Sequence, residues 1–359
     1  MIPSPRLPSV DSDGGSRIAR WFECFVEHHA GVAAAAGESV EDIVVAGVAL
    51  RLRFAGGAMR SALFPALEHH PRACVAPAFT IASWDSAAAP VPLPPFPWRL
   101  EDVGAKGEVA AATRGSIRTA YHVGSRVLSA IDAHRRIAIC WTPDACALPW
   151  YERAAPLRTL LHWILEASGR NLVHAAAVAL PTTRAGALLA GRGGSGKSMT
   201  AMRCLGAGFH YAGDDYVAVS RDDGRATAHT LFSTAKLTRS SIDGLAFLRP
   251  GLRVEPTGDD KGVVMLRDVA PERLAGAFPI RALIVPRVVG ESASRLRRTS
   301  AVEAVRALAP TTLFQLPGAG ATAFEQLASL ARALPAWSLD LGSDHGEIPP
   351  LVARAIEES

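Results

Sequence analysis

Apolar and polar residues alternate from Asp42 to Phe54, with Ile43, Val45, Val48, Leu50 and Leu52 as the apolar set, and this period predicts a strand or hairpin. Ala58 to Glu68 has helical spacing, and Cys74 to Trp84 and Ser116 to Trp141 read as further strands. Between them the run Pro90 to Pro97 cannot enter a helix or central strand, because each proline lacks a donor. An extended loop is predicted there, with a docking peptide for an aromatic groove as the functional alternative. From Glu152 to Ser168, Leu157, Leu160, Leu161, Ile164 and Leu165 recur at helical intervals, and Gly169 supplies a stop. A domain boundary is placed just before this helix, giving an irregular α+β domain over 1–150 and a second domain over 151–359.

A strand over Leu172 to Leu180, a turn at Thr182 to Gly186 and an apolar run from Ala187 to Ala190 follow, then a helical stretch from Met199 to Leu205. Ser300 with Glu303, and Thr322 with Glu325, fit capping boxes that open two helices. Pro335 to Leu341 reads as a late strand and Pro350 to Glu357 as a last helix. Strands and helices thus alternate through the second half, which predicts an α/β layer fold.

Length changes this picture little: 359 residues allow roughly two domains. Lys+Arg 38 against Asp+Glu 34 leaves only +4, so no nucleic-acid partner is expected. Five scattered cysteines without a CxxC pair indicate neither a disulfide framework nor a zinc site and suit a reducing cytosol. Met1 to Arg20 lacks the apolar core of a signal peptide, and the apolar stretches fall short of the ~20 residues that cross a bilayer. A cytoplasmic protein without a membrane partner is expected; the oligomeric state, a homo-oligomer included, stays open.

The chemistry is announced by Gly191-Arg192-Gly193-Gly194-Ser195-Gly196-Lys197-Ser198, which fits GxxxxGK[ST] between an apolar run and the helical stretch opening at Met199. With this composition the pattern arises by chance about 0.003 times per chain, so a plain glycine turn is the weaker reading. Glycines let successive N–H groups face a triphosphate at a helix N-terminus. Lys197 would reach the outer phosphates of ATP, and Ser198 would offer its hydroxyl to Mg²⁺. Only four lysines stand among the 38 basic residues, so an ammonium at this position is itself a departure from the chain's default cation.

Asp214 and Asp215 follow 16 and 17 residues after Ser198, at the edge of the segment Tyr211 to Val219. Adjacent acids there suit phosphoryl transfer, one taking the proton of an attacking hydroxyl while the other holds metal or its water. Asp222 and Asp223, before Gly224, read instead as a hairpin turn.

Leu172-Val173-His174-Ala175-Ala176-Ala177-Val178, the glycine-rich loop through Ser198 and Gly213-Asp214-Asp215 together resemble HPr kinase/phosphorylase. More closely they resemble the HPr-kinase-related proteins of peptide-biosynthesis clusters, lasso-peptide precursor kinases among them. Pro156-Leu157-Arg158, Leu161-His162-Trp163, Leu231 to Leu237 with Lys236, the turn lysine Lys261 and Pro310-Thr311-Thr312-Leu313-Phe314 extend the likeness over about Trp141 to Pro349. The resemblance implies a P-loop kinase domain of the HPr kinase/PEP carboxykinase type that phosphorylates a serine hydroxyl of a peptide or small protein with ATP and Mg²⁺. The N-terminal domain then becomes the candidate for acceptor recognition. By position, His174 matches the family histidine near the phosphates, Asp214 the general base and Asp215 the acidic neighbour associated with metal. A second C-terminal signature of the bifunctional enzymes has no recognisable copy here, so phosphorolysis and HPr itself are not carried over.

The expected site therefore comprises Asp214, Lys197 and His174 as catalytic groups, Gly191 through Met199 around the nucleotide, and Ser198 and Asp215 at the metal. Lys236 and Arg287 are candidates for contact with phosphate or acceptor. A core histidine at 174 and a solvated lysine at 236 are the plainer readings, and Lys261 reads as a hairpin-turn residue. Arg295, Arg297 and Arg298 form a basic knot that an acidic peptide could contact, a solvated face being the commoner fate. A kinase of a small-molecule hydroxyl and a non-catalytic nucleotide-gated partner of a modification complex are the two other functions weighed.

Overall fold

A computed structural model describes residues 14–258 and 260–359, so Asp259 and most of the polar N-terminal stretch lie outside the described residues. The chain divides into two compact units. The first comprises 1–65 and 71–167, and the second 66–70 and 168–359. The division thus falls after Ala167 and not at 150/151: the helical stretch placed in the second domain belongs to the first unit.

In the first unit, α1 (Gly14–Ala36) precedes the hairpin β1 (Glu38–Val45) and β2 (Val48–Ala55), as the alternation predicts. After α2 (Gly57–Leu63) come β3 (Phe79–Asp85), β4 (Ile117–His122), β5 (Val127–Asp132) and β6 (Ile137–Thr142), in a six-stranded sheet ordered β1-β2-β3-β6-β5-β4. Cys74 to Ala78, predicted as strand, lie before β3. The proline run is extended, as expected, but its groove belongs to the same unit. The Phe96 ring meets Trp98 at 4.9 Å, Trp141 at 5.5 Å and Phe25 at 5.7 Å. His28 and Arg17 donate to the Val91 and Pro97 carbonyls. Val91, Leu93 and Phe96 are half-buried against this unit's own core, while Pro90, Pro92 and Pro95 are exposed. The predicted helix near 152–168 is split into α3 (Trp150–Ala154) and α4 (Arg158–Ala167), because Leu157 takes φ +57 between them.

The second unit is built on β7 (Asn171–Val173), β8 (Ala176–Ala179), β9 (Gly186–Leu189), α5 (Lys197–Gly206), β10 (His210–Gly213), β11 (Val217–Asp222) and β12 (Arg225–His229). A small sheet over it comes from β13 (Thr234–Leu237), β14 (Leu252–Val254) and β15 (Gly262–Met265), ordered β13-β15-β14, with α6 (Arg239–Asp243) between its first two strands. Then follow β16 (Ala277–Val288), β17 (Arg295–Arg298), α7 (Ala301–Gln315), α8 (Ala321–Ala333), β18 (Ala336–Leu341) and α9 (Ile348–Glu357).

β16 organises the nine-stranded main sheet. It runs parallel to β9 on one side and to β18 on the other, while its first residues pair antiparallel with β12. One face of the sheet packs Ala282, Ile284, Leu339 and Leu341 with residues of α5 and α9. The other packs Leu283 and Ile280 with Ala304 and Leu308 of α7 and Leu327 and Leu330 of α8. With helices on both faces the strands are apolar throughout, which is why Leu172 to Leu180 shows no alternation. Those nine residues are nevertheless two strands: β7 pairs with β11, while β8 pairs with β9 and β10. His174 stands at the break.

Ser300 caps α7 by accepting the Glu303 N–H at 3.2 Å, as its motif predicts. Thr322 is no cap, because α8 begins at Ala321 after Gly320, which has no side chain to offer.

Candidate functional site

Parallel strands leave their C-terminal ends together, and β9, β16 and β18 end around the glycine loop. Ala190 continues β9 by donating to the Ile284 carbonyl of β16 at 2.8 Å, so the loop starts from a fixed strand. Arg192, Gly193 and Gly194 are exposed at its crest. Gly196 has φ +97, and a Cβ there would sit 2.2 Å from Leu341 Cδ1. Glycine is therefore required twice over, by backbone conformation and by contact with β18. α5 opens at Lys197 with its first N–H groups directed at the loop, the arrangement that favours an anion. Lys197 is buried, and its ammonium donates to the carbonyls of Gly191 at 2.5 Å and Arg192 at 3.3 Å. Burial pulls its pKa below the ordinary lysine value, and the charge of Asp215 offsets part of that pull. Ser195 Oγ is buried in the loop without a hydrogen-bond partner. Ser198 and Met199 are half-buried on the first turn of α5, Met199 against the core.

Asp214 and Asp215 occupy the tight link between β10 and β11. The chain turns there at Gly213, where a Cβ would meet the Tyr216 carbonyl and Val217 Cγ1, each at 2.7 Å. Tyr211 anchors β10 to β13 by donating its hydroxyl to the Thr234 carbonyl at 2.9 Å. Asp214 Oδ2 accepts the backbone N–H of Lys236 at 3.1 Å. Asp215 divides its carboxylate: Oδ1 accepts from His174 Nε2 at 2.8 Å, and Oδ2 is ion-paired with the Lys236 ammonium. His174 is fixed from behind, its own N–H donating to Thr312 Oγ1 of α7 at 3.0 Å and its ring edge-on to Tyr216 at 5.2 Å. Tyr216 in turn donates to Gln315 of α7.

The two acids have opposite electrostatics. Burial and the neighbouring Asp215 charge push Asp214 up to about 6, against the opposing pull of Lys236 and Lys261. Burial would raise Asp215 too, but the Lys236 ammonium and the His174 hydrogen bond hold it far below the usual carboxylate range. Burial lowers His174, the Asp215 bond opposing, so the imidazole is neutral near pH 7 and donates from Nε2. Lys197 feels the charges of Asp215, Lys261 and Asp214, and His174 feels Lys197 and Lys236. The loop lysine, itself bonded to the loop carbonyls, and the acid pair are thus close enough for their charges to act on one another.

Lys261 was read as a turn residue. It does lie in the β14–β15 link, but its charge acts on Lys197 and Asp214. Three of the chain's four lysines therefore bear on the electrostatics of the acid pair and the loop, and their scarcity in the sequence was the signal that could have found the third. Thr312 entered only as part of the Pro310 to Phe314 stretch of the resemblance, with no role attached, and Tyr216 and Gln315 carried no signal. Arg287 stands apart from the acid pair: at the end of β16 its guanidinium donates to Asp340 Oδ1 from Nε at 3.0 Å and from Nη2 at 2.6 Å.

The donor set suits a hard cation. Ser198 and the two carboxylates offer only oxygen, the ligand type of Mg²⁺ beside phosphates, and a cation at Asp215 would take the place of the Lys236 ammonium or the His174 hydrogen bond there. Among the described residues no group of three His, Cys, Asp or Glu side chains could hold a metal ion alone. No helix of the described residues is long and apolar enough to cross a membrane.

No protein-family model matches the chain, and no curated protein matches it in sequence. Among solved structures, the Hpr(Ser) kinase/phosphatase of Coxiella burnetii aligns with 52% of this chain and 95% of its own, at 10% identity and a TM-score of 0.28.

Proposed function

We propose that the second unit is an ATP- and Mg²⁺-dependent P-loop kinase of the HPr kinase/PEP carboxykinase type, acting on a serine hydroxyl of a peptide or small protein. The observation that carries this reading is the buried carboxyl of Asp214, bonded to the Lys236 backbone N–H beside the His174–Asp215–Lys236 cluster, pushed up to about 6 and acting by its charge on Lys197. Such a group accepts a proton at physiological pH and returns it readily. Asp214 takes the proton of the acceptor hydroxyl as its oxygen bonds the γ-phosphorus. The bond from that phosphorus to the β,γ-bridging oxygen breaks, and ADP leaves. The loop amides and Lys197 hold the phosphate charge, while Lys236 and Lys261 bring further positive charge to the same place. His174 keeps Asp215 in one orientation. Ser198 and Asp215 would hold Mg²⁺, which offsets charge on the phosphate oxygens when bound.

The acceptor we propose is a ribosomally made peptide, a choice that rests on the resemblance of the His174, glycine-loop and Asp214-Asp215 motifs alone. Mass spectrometry of serine-containing peptides incubated with protein and Mg·ATP tests this: a gain of about 80 Da, one phosphoryl group, is expected on a serine. Turnover of a small hydroxyl compound with no peptide modified would reject the acceptor class.

A further inference from the structure

β17 forms an edge of the main sheet: among the described residues it pairs with β18 on one side and with no strand on the other. Alternate residues of such a strand direct N–H and C=O groups outward, where an extended segment can add. Three of its four residues are Arg295, Arg297 and Arg298. Register sets Arg287, Asp340 and Arg295 in one row across three strands, and Arg297 lies 3.9 Å from the same Asp340. Two guanidinium groups, those of Arg287 and Arg297, thus share the Asp340 carboxylate at the sheet margin, while Arg295 is ion-paired with Glu291 at 3.4 Å, so three arginines face two carboxylates. Arg298 is occupied otherwise, stacked over Trp337 at 3.8 Å and bonded to the Glu358 carbonyl.

The edge begins beside the phosphate loop. Leu341, the residue after Asp340, is the side chain that abuts Gly196, and Gly342 closes on the Ser292 and Ala293 backbone that leads into β17. Val288 and Val289, 67% and 41% exposed, offer apolar surface at this end, Val288 within 3.7 Å of the Cβ position of Gly196. Direction follows from pairing. β18 runs parallel to β16 and β9, and β17 runs opposite. A strand added antiparallel to β17 therefore runs as β9 does and delivers its C-terminal end to the loop.

We propose that β17 docks an acidic acceptor segment as an added strand, presenting its C-terminal hydroxyl-bearing residue to the phosphate loop; this rests on the kinase reading above. Acidic side chains alternating along the segment pair with the surplus arginines. A second copy of β17 is the wrong partner, since it would set arginine against arginine.

The test uses a peptide of about ten residues, alternating Glu and Val and ending in a free Ser, the length of a long strand. Two controls replace Glu by Lys, or place Pro at every second position to remove ladder donors. Hydrogen exchange with the full chain should show protection over 295–298 with the acidic peptide and with neither control. Arg295→Gln with Arg297→Gln should weaken calorimetric binding about tenfold, leaving Mg·ATP affinity unchanged. Equal binding of the lysine peptide, or protection elsewhere, overturns the proposal whatever the variants do. Protection at β17 without phosphorylation keeps the docking edge and counts against the kinase reading. Phosphorylation without protection at β17 does the reverse.

Discussion

His174 Nε2 lies 2.8 Å from Asp215 Oδ1, and the histidine reaches that position only because the strand it would have continued is broken at its own residue. β7 ends at Val173 and β8 begins at Ala176, each bound to different neighbours, so the intervening side chain is free to turn toward the β10–β11 link. The pair fixes Asp215 as the charged acid and, through that charge, keeps Asp214 as the protonatable one. Two carboxyls adjacent in sequence acquire separate roles from their environments.

Asp214→Asn should abolish phosphoryl transfer, by at least 10²–10³ in turnover, yet stabilise the fold. Its folded pKa of about 6 lies above the ordinary 3.8, so this group's stability is full below about 3.8 and is lost as pH rises through about 6. At pH 8 the variant should be more stable by about 1–3 kcal/mol, the gap closing toward pH 4. Denaturant titrations at the two pH values check this.

Turnover of the wild type should rise with pH through about 6 as Asp214 loses its proton. Lys236→Met removes a positive charge that holds Asp214 down, so the acid limb should move to higher pH while turnover falls about 10²-fold. Lys236→Arg should restore the position of the limb more than the rate. A pH–rate series on the three proteins distinguishes this positioning role from a loss of folding, which would leave the limb in place.

Gly196→Ala should eliminate ATP binding and cost about 1–3 kcal/mol from its left-handed backbone alone. Adding Leu341→Ala relieves the 2.2 Å contact but leaves φ unchanged, so stability should return only in part. Thermal melts and calorimetry with Mg·ATP read the two effects separately.

His69 and His70 stack at 4.1 Å within the second unit, bonded to Thr230 and to the Leu231 carbonyl. Burial, then the neighbouring His70 and Arg267 charges, lower His69 to about 2, and burial lowers His70 to about 4. Depressed values mean the stability is present above the unfolded value of 6.5 and is lost as pH falls toward 4. For His70 that loss is on the order of 3 kcal/mol, and unfolding of the His69→Gln, His70→Gln variant should depend less on pH over that interval than the wild type.

Much of this was legible in the sequence because it is local. The phosphate loop needs consecutive glycines and one lysine, the hairpin at Asp222 to Arg225 needs Asp-Gly, and Ser300 caps its own helix; each prediction rests on neighbours in the chain. What depends on partner choice was not. A run whose one polar residue is His174 does not tell that Leu172 and Val178 belong to different strand pairs, nor does the sequence tell that Ala66 to His70 joins the second unit. Lys261 read as a turn residue for the same reason: its charge acts on Lys197 and Asp214 only once the β14–β15 link is folded. Thr322 failed in the other direction, a local motif overruled by a helix that starts one residue earlier.

The account turns on whether the buried carboxyl of Asp214 acts as the base of a transfer reaction. Wild type and Asp214→Asn, given ATP labelled at the γ-phosphorus and serine-containing peptides, should bind the nucleotide alike by calorimetry, with label reaching a serine hydroxyl in the wild type only. Equal labelling by both proteins, or nucleotide binding with no labelled acceptor in either, would contradict it.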